Sequence, residues 1–178
     1  MKKSCLLDAL CACLFIVSTC VNAYTVVVDF EDAPYSDLTG SGYKGLTWEL
    51  GLPGGGYQGN TGNWTTIGAS NPIGTRAVYN SWGALLLGIS FNSTVDIDGA
   101  YFTQQGSAST ATPSIRVHGY LNNTEIIVTD WFTGIDASHR WFAMNLTGVD
   151  RIVIEAQPVK DGGGWYSMDN LTYSVVST

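Results

Sequence analysis

The chain has 178 residues, with eight Lys and Arg against fifteen Asp and Glu, a net charge of −7 and a mean hydropathy of +0.10. So few cations cannot build the clustered Lys/Arg surface that phosphate binding requires, which excludes nucleic acid as a partner. The length suits one domain with an ordinary hydrophobic core.

Residues 1–23 read as a secretory signal peptide. Lys2 and Lys3 supply the positive start, and an apolar stretch spans 6–21, broken only by Asp8. Val21-Asn22-Ala23 then offers small-residue cleavage chemistry. The apolar run is shorter than the ~20 residues of a bilayer-spanning helix, and no second such run closes the chain, so no membrane span is expected. A lipoprotein signal at Cys20 would fit poorly with Thr19 before it. All four cysteines (Cys5, Cys11, Cys13, Cys20) lie in this leader. The mature domain, 24–178, therefore has no disulfide and no thiolate chemistry, and carries six basic and fourteen acidic residues. A secreted, extracellular protein is expected.

Strand patterns fill the rest. A β-branched run covers 24–30. Residues 94–102 alternate, with Val95, Ile97 and Tyr101 on one side and Asp96 and Asp98 on the other. Over 114–121, Ile115, Val117 and Leu121 oppose Arg116, His118 and Tyr120. Asn122-Asn123 is a tight turn into a strand at 125–132, predicting a hairpin. Strands at 140–146, 149–156 and 165–176 complete the set, and no amphipathic helix is visible. Eight to ten short strands separated by Gly, Asn and Ser predict an all-β sandwich or jelly roll of antiparallel sheets. Loops at 51–63 and 104–113 are long enough to suggest function or mobility.

Five Asn-X-Thr acceptors occur, at Asn63, Asn92, Asn122, Asn145 and Asn170. They point to N-glycosylation on a eukaryotic secretory route, against the alternative of a Thr-rich β-protein that collects them by composition. Sugar on Asn145 would send Phe142, Met144 and Leu146 inward and Trp141 outward. The same parity at Asn170 places Asp169, Leu171, Tyr173 and Val175 inward. An inward carboxylate needs a partner.

Asp29-Phe-Glu-Asp32, Gly42-Tyr-Lys-Gly-Leu-Thr-Trp48 and Gly164-Trp-Tyr-Ser-Met-Asp-Asn-Leu-Thr-Tyr173 form one ordered set. The set resembles an uncharacterised secreted β-sandwich family of fungi and of bacteria that use a PEP-CTERM-type sorting tail. That tail is absent here. The family is similar in architecture to jelly-roll carbohydrate-binding modules, which implies a jelly-roll-like sandwich of two antiparallel sheets and no catalytic motif. Some such jelly rolls hold a structural Ca²⁺ between the first and last strands. Glu31, Asp32 and Asp169 would be its ligands, hard oxygen donors of the kind Ca²⁺ takes. The alternative is that Asp169 accepts backbone N–H groups at a turn.

An enzyme is not expected. His118 and His139 are the only histidines, no metal or nucleophile motif surrounds them, and Glu49, Glu125 and Glu155 stand singly on predicted strands. Aromatics are the stronger signal, with six Trp and nine Tyr. Their flat faces can stack on sugar rings or pack in the core. Trp131 and Trp141 flank a loop and would face each other across a hairpin. Tyr57 and Trp64 belong to the Gly-rich loop, with Trp64 expected outside the core, and Trp165 and Tyr166 follow a Gly run. The expected role is non-catalytic binding of extracellular polysaccharide or glycan through these six. The alternative is a structural subunit of a matrix, wall or fibril, assembling with copies of itself by strand addition at 24–30.

Overall fold

The computed structural model describes residues 23–50, 62–159 and 163–176. The β-branched and aromatic runs form ten strands: β1 (Ala23–Val28), β2 (Thr47–Leu50), β3 (Trp64–Thr65), β4 (Val78–Asn80), β5 (Leu86–Gln104), β6 (Ser114–Leu121), β7 (Thr124–Val128), β8 (Phe132–Thr133), β9 (Arg140–Ala156) and β10 (Tyr166–Val176). Every strand ladder is antiparallel, and short 3-10 turns at Tyr43–Gly45 and Ser81–Gly83 are the only helical pieces among the described residues. The chain is an all-β protein.

Two strands organise it. β5 runs for 19 residues and β9 for 17. The first half of β5 lies between β2 and the last part of β9, which continues into β6 and its partners β7 and β8. The second half of β5 lies between β10 and the first part of β9, with β1 and β4 on β10 and β3 on β4. One hydrogen-bonded ladder thus links all ten strands, where two separate sheets were expected. The physical reason is the run of bulges along β5 and β9 between Ser90 and Gly99, which let the strands turn the corner from one layer to the other without ending. The predicted strands 140–146 and 149–156 are for the same reason one strand.

Bulges also reset which face a side chain takes. In β9, Phe142, Met144 and Leu146 are buried and Trp141 exposed, as alternation predicts. In β5 the core residues are Val95 and Ile97, then Ala100 and Phe102, so an extra residue at Asp98 and Gly99 moves Tyr101 to the outer face. In β10, Tyr166 and Met168 face the core and the bulge at Asn170 returns Leu171 to it. Asp169 therefore lies on the face opposite Leu171 and Tyr173. It is nevertheless buried, because residues 66–77 cover it.

The expected hairpin joins β6 to β7, with Asn122 at φ 50° and Asn123 at φ 63°, the left-handed pair a two-residue type I′ turn demands. β7 stops at Val128, and Phe132–Thr133 returns separately to Ser114 and Ile115 of β6. β1 pairs along its length with β10, from Ala23↔Val176 to Val28↔Leu171.

An aromatic row crosses the single core. Tyr43, Phe30, Trp48, Trp64, Tyr166, Phe102, Phe142 and Phe132 follow one another at centroid distances of 6.0, 5.6, 5.7, 6.1, 5.7, 5.5 and 5.0 Å. Phe30, Tyr43, Trp48 and Tyr166 all come from the three motifs that carry the family resemblance. Those motifs therefore supply packing; Asp32 of the first serves it too, accepting the Tyr43 hydroxyl at 2.7 Å and Lys44 at 2.6 Å.

Candidate functional site

An aromatic cleft of 640 Å³ opens beside β3 and β4, between the Ser81–Gly83 turn, the loop after β5 and the residue that leads into β10. Its wall is built from Tyr79, Trp82 and Trp165, with Asp37, Asn63, Thr65, Gln105 and Thr110 among the polar lining. Trp82 stands at the rim, 73 % exposed, on a backbone at φ 58°. Trp165 is half-buried and lies flat against glycine backbone. A Cβ at Gly83 would come within 2.8 Å of its ring and one at Gly163 within 2.5 Å, so a side chain at either position would displace the indole.

Asn80 ties these parts together. Its amide nitrogen donates to the carbonyls of Ala84 at 2.8 Å and Gly164 at 2.6 Å, while its amide oxygen accepts the Tyr166 N–H at 2.8 Å. One buried amide thus holds the Trp82 turn against the Trp165 segment. Gln105 performs a similar task on the far wall. Its oxygen accepts Ser70 N–H and Ser167 hydroxyl, both at 2.6 Å, and its nitrogen donates to Gly68 at 2.9 Å. The cleft is framed by these hydrogen bonds, is apolar on its faces, and among the described residues has Asp37 as the one carboxylate in its lining.

No protein-family model matches the chain, and no curated protein is similar to it in sequence.

Of the six aromatic residues expected to contact a ligand, Trp165 lies in the cleft. Trp64 and Tyr166 do not. Both are fully buried in the core row, and Trp64 donates its indole N–H to Gly88 at 2.9 Å. Asn63 beside Trp64 is half-buried, which β3 achieves by turning the two side chains in opposite directions. Trp131 and Trp141 are exposed but do not face each other. Trp131 lies under the Arg116 guanidinium at 4.8 Å, and Trp141 meets its cross-strand neighbour Tyr101 at 5.2 Å. The residue that meets Phe142 across that loop is Phe132. Tyr57 lies outside the described residues. Tyr79 and Trp82 were missed. The readable signal for Trp82 was its position in Asn80-Ser-Trp-Gly83, a large aromatic inside a turn composition, where no strand can bury it.

The three expected metal ligands carry separate partners. Glu31 accepts the N–H and hydroxyl of Thr75, at 2.8 and 2.5 Å, and the Arg76 N–H. Asp32 faces Tyr43 and Lys44. Asp169 accepts the N–H groups of Ile73 and Asn170, each at 2.8 Å. Among the described residues no three His, Cys, Asp or Glu side chains converge as a metal site would need. Glu31 and Asp169 instead pin residues 66–77, the segment that also carries the cleft residue Ile67.

Burial raises the Asp169 carboxyl to about 6, against the opposing pull of its two backbone donors, with the Glu31 charge adding to the rise. The folded state therefore binds this proton more tightly than the unfolded chain, whose carboxylates titrate near ~4. The stabilisation is fully present below about pH 4 and is lost as the pH rises through about 6, on the order of 3 kcal/mol in all. Melting temperature should decline over that window, and Asp169→Asn should remove the decline. An unchanged slope in the variant would assign the titration elsewhere.

Glu125 and Glu155, single in sequence, meet on the outer face of β6. The His118 ring lies between them, with Nδ1 2.8 Å from Glu125 and Nε2 2.8 Å from Glu155. Arg116 donates to Glu155 at 2.5 Å and the Tyr120 hydroxyl to Glu125 at 3.1 Å. Burial raises the Glu155 carboxyl, but hydrogen bonds from Arg116 and His118 outweigh it and hold it below the usual carboxylate range. Glu49 forms a parallel pair on the same sheet, accepting Arg151 at 2.8 Å.

The acceptor asparagines divide into two kinds. Asn122, Asn145 and Asn170 have φ of 50°, 49° and 48°. Asn tolerates this left-handed conformation better than other side chains, so turn and bulge geometry alone favours it there. Asn63 and Asn92 have no such conformational reason.

Proposed function

We propose that the protein is a secreted, N-glycosylated, non-catalytic module that binds a neutral glycan in the Trp82–Trp165 cleft. The supporting observation is the pairing of an exposed Trp with a second, backbone-seated Trp in one cleft whose lining, among the described residues, is uncharged except for Asp37. Sugar rings present C–H faces that stack on indole, and hydroxyls that the polar lining can meet. Among the described residues the lining holds one carboxylate and no cation, an arrangement that repels sulfated and uronic chains, so the reading commits to neutral sugars. Trp165 itself belongs to the set of motifs that carries the resemblance, whereas the glycines that seat its ring, Gly83 and Gly163, lie outside that set.

The test is titration of the purified mature chain against neutral and anionic oligosaccharides, with Trp82→Ala and Trp165→Ala beside it. Trp82→Ala should weaken binding at least about tenfold, while its stability changes by less than about 0.5 kcal/mol because the side chain is exposed. Binding that survives both substitutions would move the site away from this cleft.

A second reading, a structural subunit, is favoured by β7. It ends the strand order, and Ile126, Ile127 and Val128 are exposed by 48 %, 38 % and 38 %. An apolar edge strand of this kind can accept another strand. Glycan silence together with concentration-dependent growth in sedimentation velocity would favour it.

A further inference from the structure

The cleft wall contains one of the five acceptor sites. Asn63 opens Asn63-Trp64-Thr65, and its side chain lines the same cavity as Trp82 and Trp165. Ser81 holds it there three times over. The Asn63 N–H reaches the Ser81 hydroxyl oxygen at 3.1 Å, the Asn63 carbonyl accepts the Ser81 N–H at 2.9 Å, and its amide oxygen accepts the Ser81 hydroxyl. Ser81 directly precedes Trp82, so the acceptor amide is fixed against the segment that carries the rim tryptophan. Any sugar attached at Asn63 begins inside the cleft.

Timing follows from burial. Trp64 is fully buried and Thr65 nearly so, each anchored by hydrogen bonds, Trp64 to Gly88 and Thr65 to Ser36. The acceptor tripeptide is extended and accessible only before β3 is laid down. Modification must therefore precede folding and persists through it.

We propose that glycosylation of Asn63 sets the state of the cleft: with a glycan, its own core sugars occupy the space against Trp82 and Trp165, and without one the cleft is open to an external neutral glycan. This rests on the sugar-binding reading of the cleft. In the attachment step the Asn63 amide nitrogen displaces the diphosphate of a lipid-linked oligosaccharide. The N–C1 bond forms, the C1–O bond to phosphate breaks, and the amide proton leaves. Tethering then makes the contact intramolecular. A local concentration on the order of 1 mM, against a weak dissociation constant on the order of 0.1 mM, keeps the cleft filled about nine-tenths of the time.

The experiment uses the full chain in three forms. Thr94→Ala, Thr124→Ala, Thr147→Ala and Thr172→Ala leave Asn63 as the single acceptor without disturbing the left-handed asparagines. That chain is secreted from a glycosylating host, and also made in a host that lacks N-glycosylation. Asn63→Gln in the glycosylating host is the third form. Peptide mass gives occupancy at Asn63, hydroxyl-radical oxidation reads the exposure of Trp82 and Trp165, and titration with neutral oligosaccharides reads binding. The expected result is an occupied Asn63, oxidation of both tryptophans reduced about tenfold relative to the bare chain, and binding only by the bare forms. A bare Asn63 in the secreted chain overturns the proposal, as does equal oxidation in occupied and bare chains. Protection of the tryptophans with no binding by any form would leave the gate standing and sink the external-ligand reading instead.

Discussion

Trp64→Ala is expected to lower stability by about 3–5 kcal/mol, the range for deleting a large buried aromatic. Trp64 is fully buried and sits between Trp48 at 5.7 Å and Tyr166 at 6.1 Å, both edge-on. It also donates to the Gly88 carbonyl on β5 at 2.9 Å. The alanine would open a cavity at the centre of the aromatic row and remove the bond that ties β3 to the long strand. For a domain of this size the melting temperature should fall by roughly 10 °C. Trp64→Phe keeps a ring and loses the indole N–H, so it should cost about 1–2 kcal/mol. Chemical denaturation of the two variants checks both numbers. A loss below about 1 kcal/mol for the alanine would mean that Trp64 is not packed in the core. The contrast with Trp82→Ala, which should leave stability nearly unchanged, separates core from cleft by measurement.

Gly99→Ala should be comparably damaging for the opposite reason. A Cβ there would fall 2.2 Å from the Phe142 carbonyl oxygen and 2.8 Å from the Trp141 ring. Gly99 is the point where β5 meets Ala143 of β9 and Thr172 of β10, with a bulge on each side. Trp141 is exposed and could swing away. The Phe142 carbonyl belongs to the strand backbone and could yield only by disturbing the β5–β9 ladder. The expected cost is about 3 kcal/mol, the upper part of the overpacking range. Trp141→Ala combined with Gly99→Ala should rescue little of it. Full rescue would place the conflict in the indole and show that the backbone can give.

These positions also mark how far the residues themselves could be read. The β class, the Asn122-Asn123 hairpin and the inward set Phe142, Met144 and Leu146 were all legible. Each rests on a local rule: period-2 alternation, or a turn that requires positive φ at two successive residues. The same alternation misplaced Tyr101 and Asp169. Tyr101 lies just after a bulge in β5 and Asp169 just before one in β10, and one inserted residue reverses the faces on its two sides relative to each other.

The candidate site was legible only in part. Trp165, and the loop that contains Gln105 and Thr110, were singled out by glycine spacing and loop length. Trp64 was placed on the wrong side of the fold, because a Gly-rich neighbourhood and an acceptor asparagine next door both suggested exposure. β3 is two residues long, and its partners Thr39, Gly88 and Asn80 come from distant parts of the chain. No local pattern carries that information.

Local sequence therefore determined which segments become strands, where the tight turn falls and which side chains alternate within an unbroken stretch, since these depend on neighbours along the chain. Tertiary structure alone decided which of the aromatics form the core row and which line a cleft. It also decided that Asp169 is met by backbone N–H groups and that Glu125 and Glu155 converge on His118. Those outcomes depend on bulges and on strand partners far away in sequence, and such contacts exist only once the long strands β5 and β9 have turned the sheet over on itself.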